Sequence, residues 1–236
     1  MRALSATELL GVWERAFSQS SIQRALALLA AACPESPPDA LAGLSIGQRD
    51  ARLLALREAT FGAEFTALAR CPACGGSMEL IFHAEDLRIS PEAEPPPELA
   101  LQIEGRDLRV RLPTSADLLA ITRPDDLAAA RDQLLARCLL SGRDQVPEPV
   151  LDAVVEQMAL ADPLGDIQLA LRCAGCGHAW QAVFDIVSFF WREIHAWARG
   201  LLREVHTLAS AYNWREADIL ALSPARRRLY LEMVGG

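Results

Sequence analysis

Two CxxC pairs hold the residues of this chain whose type and spacing could do chemistry: Cys71 and Cys74 in "RCPACGGSM", Cys173 and Cys176 in "RCAGCGHAW". Two thiolates separated by two residues on a tight turn can reach one zinc ion at about 2.3 Å, and a structural zinc takes four such ligands in a tetrahedron. Each pair supplies half of that set. Gly75, Gly76 and Gly177, which follow the second cysteines, suit turns that need positive φ and fold backbone amides toward the sulfurs. The spacing predicts one structural Zn²⁺ per chain, held by Cys71, Cys74, Cys173 and Cys176, although 98 residues lie between the inner cysteines Cys74 and Cys173.

Other readings stand beside this one. Either pair could be redox-active, but a thioredoxin-type motif opens a helix after a strand, whereas here each pair is followed by an alternating apolar segment. Free thiols, or pairs that bind metal separately with His83 or His178 completing one of the sites, are further alternatives, and His178 could exchange into a shared ligand set. Four thiolates leave no open position for water, so metal-assisted hydrolysis is not supported. Cys33 and Cys138 sit in the apolar contexts "LLAAAC" and "LLARCLL" and read as small core residues.

Signals for catalysis are thin elsewhere. His195 and His206 lie eleven apart on one helix beside Glu193 and Glu204, a pattern that reads as a solvated polar face. There is no Gly-rich phosphate loop, no GxSxG and no HExxH. The expectation is a protein that is not an enzyme and takes no small-molecule substrate.

The elements that must position the cysteines follow from periodicity. Around Cys71 and Cys74, "EFTALAR" and "SMELIFH" alternate apolar and polar residues, as strands do. "DIQLALRCAGCGHAWQAVFDI" repeats the strand, knuckle, strand order. Apolar residues at helical spacing fill 5–31, and "SIGQRDARLLALREATFG" is free of breakers until Gly62. "RISPEAEPPPE" carries four prolines and reads as a linker. After it, "LALQIEGRDLRVRLPT" predicts a hairpin turning at Gly105. Helices are then expected after "TSAD", which has capping-box spacing, from Pro124, and over "PEPVLDAVVEQMAL". Residues 187–211 form one long amphipathic helix, and two short helices close the chain, one capped by Asn213 with Glu216 and one by Ser223 before Pro224.

The fold class expected is α+β: a split zinc ribbon of two CxxC hairpins, with an inserted hairpin-plus-helical segment and a C-terminal helical arm. The divisions are a helical region over 1–62, a first knuckle hairpin over 63–86, a linker over 87–100, the insertion over 101–165, a second knuckle hairpin over 166–186, and the arm over 187–236. Trp191, Trp197, Tyr212, Trp214 and the run Arg226, Arg227, Arg228 are the candidate partner-contacting residues on that arm. The arginines could instead be solvated or paired with acids such as Glu216 or Asp218.

Composition narrows the class. With 51% hydrophobic and 23% charged residues, 236 residues can bury a sizeable core as one large or two small domains. A net charge of -8 argues against nonspecific nucleic-acid binding. No apolar run is long enough to span a membrane, and "MRALSATELLGVWERAF" reads as an amphipathic helix without a signal-peptide core. A soluble, cytoplasmically made protein is expected.

Four blocks together resemble the small baseplate and tail-assembly proteins of contractile-tailed phages and phage-derived contractile injection systems. They are "GQRDARLLALREATFG" leading into "RCPACG", "RLPTSADLLAI", "GDIQLALRCAGCGHAWQAVFDIVSFFWREI" and the ending "YNWREADILALSPARRRLYLEMV". The resemblance implies a non-enzymatic component or assembly factor that binds other baseplate or tail proteins and enters a phage-tail-like particle. The rival reading is a zinc-ribbon adaptor or regulator that binds nucleic acid or transcription machinery.

Overall fold

Serine sets the start of three of the first helices. A computed structural model describes residues 1–87, 95–122, 125–141 and 146–235. Helices α1 (Ala6–Ala16), α2 (Ser21–Ala32) and α4 (Ile46–Phe61) each begin with a reciprocal capping box, Ser5 with Glu8, Ser20 with Gln23 and Ser45 with Gln48. In each box the serine oxygen accepts from an otherwise unpaired backbone amide, and the side chain three residues on returns the bond. The three prolines of "CPESPPDA" separate α2 from the short α3 (Pro38–Ala42). Gly62, at φ 96°, ends α4 in a conformation that L side chains rarely adopt.

The chain then forms the hairpin of β1 (Glu64–Arg70) and β2 (Ser77–His83), followed by one turn of helix, α5 (Ala84–Leu87). The middle segment opens with the hairpin of β3 (Leu99–Ile103) and β4 (Arg106–Val110), whose two turn residues, Glu104 and Gly105, both have positive φ. Three helices follow: α6 (Ser115–Leu119), started by the Thr114–Asp117 capping box, α7 (Leu127–Cys138), started by Asp126, and α8 (Glu148–Ala161). A 3-10 turn at Pro163–Gly165 leads into β5 (Gln168–Arg172) and β6 (Ala179–Val183). The ending consists of α9 (Ile186–Tyr212), α10 (Glu216–Leu220) and α11 (Pro224–Gly235).

Two expectations differ in detail. Asn213 does not cap α10; it takes the left-handed conformation, φ 55°, and terminates α9 with its amide on Ala209 O. Asparagine tolerates that region, and Arg215 precedes α10 with no side-chain capping bond. The expected linker overlaps β3 by two residues, and its residues 88–94 lie outside the described ones, as does the helix start assigned to Pro124.

Among the described residues the strands form three separate two-stranded antiparallel sheets. The main core gathers α1, α2, α4 and the first half of α9 around Leu28, Leu29, Leu53, Leu56, Phe190 and Ile194, and it takes in Phe65 of β1. The middle segment has its own core, where Leu108, Val110 and Leu112 meet Leu135, Cys138, Val150 and Val154. Cys33 and Cys138 are buried in these two cores, and burial pushes the Cys138 thiol up to about 11. The middle segment is joined to the main body where the amide of Gly47 donates to Asp162 Oδ2 at 2.8 Å.

Candidate metal centre

Each CxxC pair is the tip of a hairpin, and the two tips fold alike. In the first, the Cys71 amide donates to Gly76 O and the Gly75 amide to Cys71 O, both at 2.9 Å. In the second, the Cys173 amide donates to His178 O at 2.8 Å and the Gly177 amide to Cys173 O at 2.9 Å. Gly75 and Gly177 occupy equivalent places at φ 71° and 74°. A Cβ would meet nothing within 4 Å at either, so it is the backbone conformation that favours glycine.

The tips bring all four sulfurs within 4.8 Å of one another. The close pairs cross between hairpins: Cys71 Sγ to Cys176 Sγ and Cys74 Sγ to Cys173 Sγ, each 3.7 Å. A disulfide needs about 2.05 Å, so these pairs are not bonded. Four sulfurs at 2.3 Å from a common centre in a tetrahedron stand about 3.8 Å apart, and the crossed pairs match that edge. The first cysteine of each pair is buried and the second exposed, as in an approximately two-fold arrangement.

Protonation points the same way. The backbone amides of Cys176 and Gly175, aimed at Cys173, lower its thiol to about 7. The backbone amide of His178 also lowers Cys176, but the Cys74, Cys71 and Cys173 thiols and desolvation outweigh it and push Cys176 up to about 12. One sulfur sheds its proton readily while a neighbour keeps its own, because hydrogen bonds to the surrounding sulfurs and burial favour the Cys176 thiol. A divalent cation coordinated by the four sulfurs would favour the thiolate form of its ligands. The residues therefore suit a thiophilic divalent ion that needs four ligands.

Opposite the tips, an aromatic cluster closes the hairpin pair. Phe82 of β2 meets Phe184, just beyond β6, edge-on at 5.5 Å between ring centroids, and Phe65 stacks on Phe82 at 5.2 Å. Phe189 at the start of α9 completes the cluster, 5.3 Å from Phe65. His178 is exposed and stacks on Trp180 at 6.0 Å.

The residues singled out on the C-terminal arm fall into two groups. Trp191 is only 7% exposed, part of the main core with the Arg24 guanidinium 4.6 Å over its ring. Arg227 is buried and donates to Glu204 at 2.6 Å, not to Glu216 or Asp218. These two face inward. Trp197 is half-buried against α1; Tyr212 and Trp214 stack at 4.7 Å with Tyr230 edge-on to both; Arg226 and Arg228 are exposed.

The polar face expected around His195 is only partly solvated. His206 is exposed, but His195 Nδ1 accepts a 3.1 Å bond from Trp13 Nε1, and Glu193 pairs with Arg57 at 2.5 Å. Arg57 is 3% exposed by its side chain, lies 3.8 Å over the Phe65 ring and donates to Gly62 O and Glu64 O, tying α4, α9 and the first hairpin together. Nothing local separates Arg57 from Arg52 in the sequence, so this joint was not legible there. Asp117 is a second joint: beyond its capping role, it accepts from Arg111 at 2.6 and 2.7 Å and from Arg137 at 2.9 Å.

Fold and site thus define an α+β protein in which two distant hairpins converge on a cluster of four cysteines able to hold one metal ion. Among the described residues no helix is long and apolar enough to cross a membrane. The sequence profile of the T4 bacteriophage base plate protein family matches residues 5–141, more than half of the chain, and the chain belongs to that family. The matched region contains Cys71 and Cys74 but ends before Cys173 and Cys176. Searches of the curated proteins and of the solved structures each gave no significant match.

Proposed function

We propose that the protein is a non-enzymatic component of the baseplate of a phage-tail-like contractile particle, braced by one structural zinc and acting through contacts with other baseplate or tail proteins. Membership of the base plate family carries the reading. The four-sulfur geometry supports the metal's part: Cys71, Cys74, Cys173 and Cys176 would fill a tetrahedral zinc completely, leaving it no open position for chemistry. Such an ion joins hairpins that are separated by the whole middle segment and adds folding free energy that the metal-free chain lacks.

The partner surface is assigned to the C-terminal arm. Trp197, Tyr212 and Trp214 offer partly exposed aromatic area, and Arg226 and Arg228 offer exposed charge on a chain that is acidic overall. Trp191 and Arg227 act from behind, the first as core and the second by holding α11 to α9 through Glu204. Purified contractile particles from a host that carries the gene provide the test. Mass spectrometry should find this chain in the particle or in its assembly intermediates, with one zinc per chain in the isolated protein. A protein that never associates with tail components, yet shifts DNA or RNA at physiological salt, would replace this reading with the nucleic-acid adaptor.

A further inference from the structure

Between the two knuckle hairpins runs a cleft of about 560 Å³. Residues 79–82 of β2 line one wall and residues 168–171 of β5 the other. Successive strand residues point to opposite faces, so a wall made of four consecutive residues is a strand edge, presenting main chain as well as side chains. Among the described residues neither strand is paired on that side: β2 bonds only β1, and β5 only β6. Two open edges facing one another are an unusual arrangement, because an exposed edge is a template for pairing with another chain.

The edges are held at both ends. At one end Cys74, just before β2, meets Cys173, just after β5, at 3.7 Å. At the other end Phe82 meets Phe184. Since β2 leaves the cysteine cluster and β5 arrives at it, the two strands run in opposite directions.

We propose that this cleft takes an extended segment of a partner protein as an added strand, paired parallel to one wall and antiparallel to the other. Four residues at about 3.3 Å each give a docked length of roughly 13 Å. The walls specify its chemistry. One face of the added strand meets the half-buried Leu80, Phe82, Leu169 and Leu171, so alternate positions are apolar. The other face lies beside Ile81, 63% exposed, and the Glu79 carboxylate, which has no ion-pair partner among the described residues. Asp86, also at the cleft, adds negative charge while its carboxylate accepts from the His83 amide. The segment is therefore alternating, apolar on one face and basic on the other. Main-chain bonds supply affinity and the alternate pockets supply specificity, as in other strand-addition complexes.

This inference rests on the baseplate reading only for the source of the partner, and hydrogen exchange separates the two. The zinc-loaded protein is compared alone and in complex with the tail or baseplate proteins that co-assemble with it. The expected result is slowing of amide exchange by about tenfold or more at 79–82 and 168–171 in the complex. Glu79→Lys, a change at an exposed side chain, should weaken the complex at unchanged zinc content and melting temperature. A synthetic peptide of the protected partner segment should bind, and its N-methylated form should not, because N-methylation removes main-chain donors and leaves the side chains in place. A complex that forms with unchanged exchange at both strands overturns the strand-addition proposal and leaves the baseplate reading standing. Failure to form any complex with tail proteins overturns both.

Discussion

Removing the proposed zinc from Cys71, Cys74, Cys173 and Cys176 should cost a large part of the protein's stability, and the size can be worked from the chain. The crossed sulfur pairs close a loop over the 98 residues between Cys74 and Cys173. A covalent link closing a loop of about 100 residues restricts the unfolded chain by about 4.7 kcal/mol in the chain-entropy model. An ion bound only by the folded state acts instead by mass action, and free zinc at about 1,000 times its dissociation constant would add about 4.1 kcal/mol, close to that covalent benchmark. For a chain of this size each kcal/mol moves the melting temperature by about 2–4 °C, so chelation should lower it by roughly 10–20 °C. Differential scanning calorimetry of zinc-loaded protein, with and without a strong chelator, reads this directly. Cys173→Ser should reproduce the shift without chelator, and X-ray absorption of the loaded protein should show four sulfurs at about 2.3 Å. A melting temperature indifferent to both chelator and Cys173→Ser would refute the argument that the cluster is a metal brace.

Three further outcomes follow from the joints. At Gly47 a Cβ would sit 2.0 Å from Asp162 Oδ1, so Gly47→Ala should lose the 2.8 Å amide bond and displace the 3-10 turn, costing about 3 kcal/mol in chemical denaturation. Adding Asp162→Ala should recover part of that loss, and a purely additive double mutant would refute the clash. Asp117, whose carboxylate is 2% exposed, is desolvated, yet its bonds from Arg111, Thr114 and Arg137 hold its pKa well below the ordinary 3.8. Its contribution is therefore present above that value and lost as pH falls below it; Asp117→Asn should cost about 2 kcal/mol at neutral pH and flatten the acid limb of the stability profile. Burial and a thiol raised to about 11 make Cys138 inert, so in native protein it should resist an alkylating agent that labels the four cluster cysteines after chelation.

Local chemistry was largely legible in the sequence. The spacing and glycines of the two CxxC pairs, the alternation of their flanking arms, the Thr114 cap and Ser223 before Pro224 each depend on residues within a few positions, so pattern alone located β1, β2, β5, β6 and the starts of α6 and α11. The periodicity of 187–211 likewise matched α9. What pattern could not assign was the partner of each charged or aromatic side chain. Trp191 and Trp197 share one helix and one residue type, and only the packing of α2 and its Arg24 onto α9 buries the first. Among three consecutive arginines, Arg227 alone turns inward, because helical geometry carries it toward Glu204 on a different helix.

Residue types and short-range spacing alone mark out four thiols on two matched turns, a set suited to one metal ion. Packing in three dimensions is what makes Cys71 face Cys176 and Cys74 face Cys173, joins α4 to α9 through Arg57, and sets β2 and β5, each unpaired on one side among the described residues, across a shared cleft. Those relations span from roughly ninety residues upward. They are set by how the helical core orients the two hairpins, and no local pattern encodes that orientation.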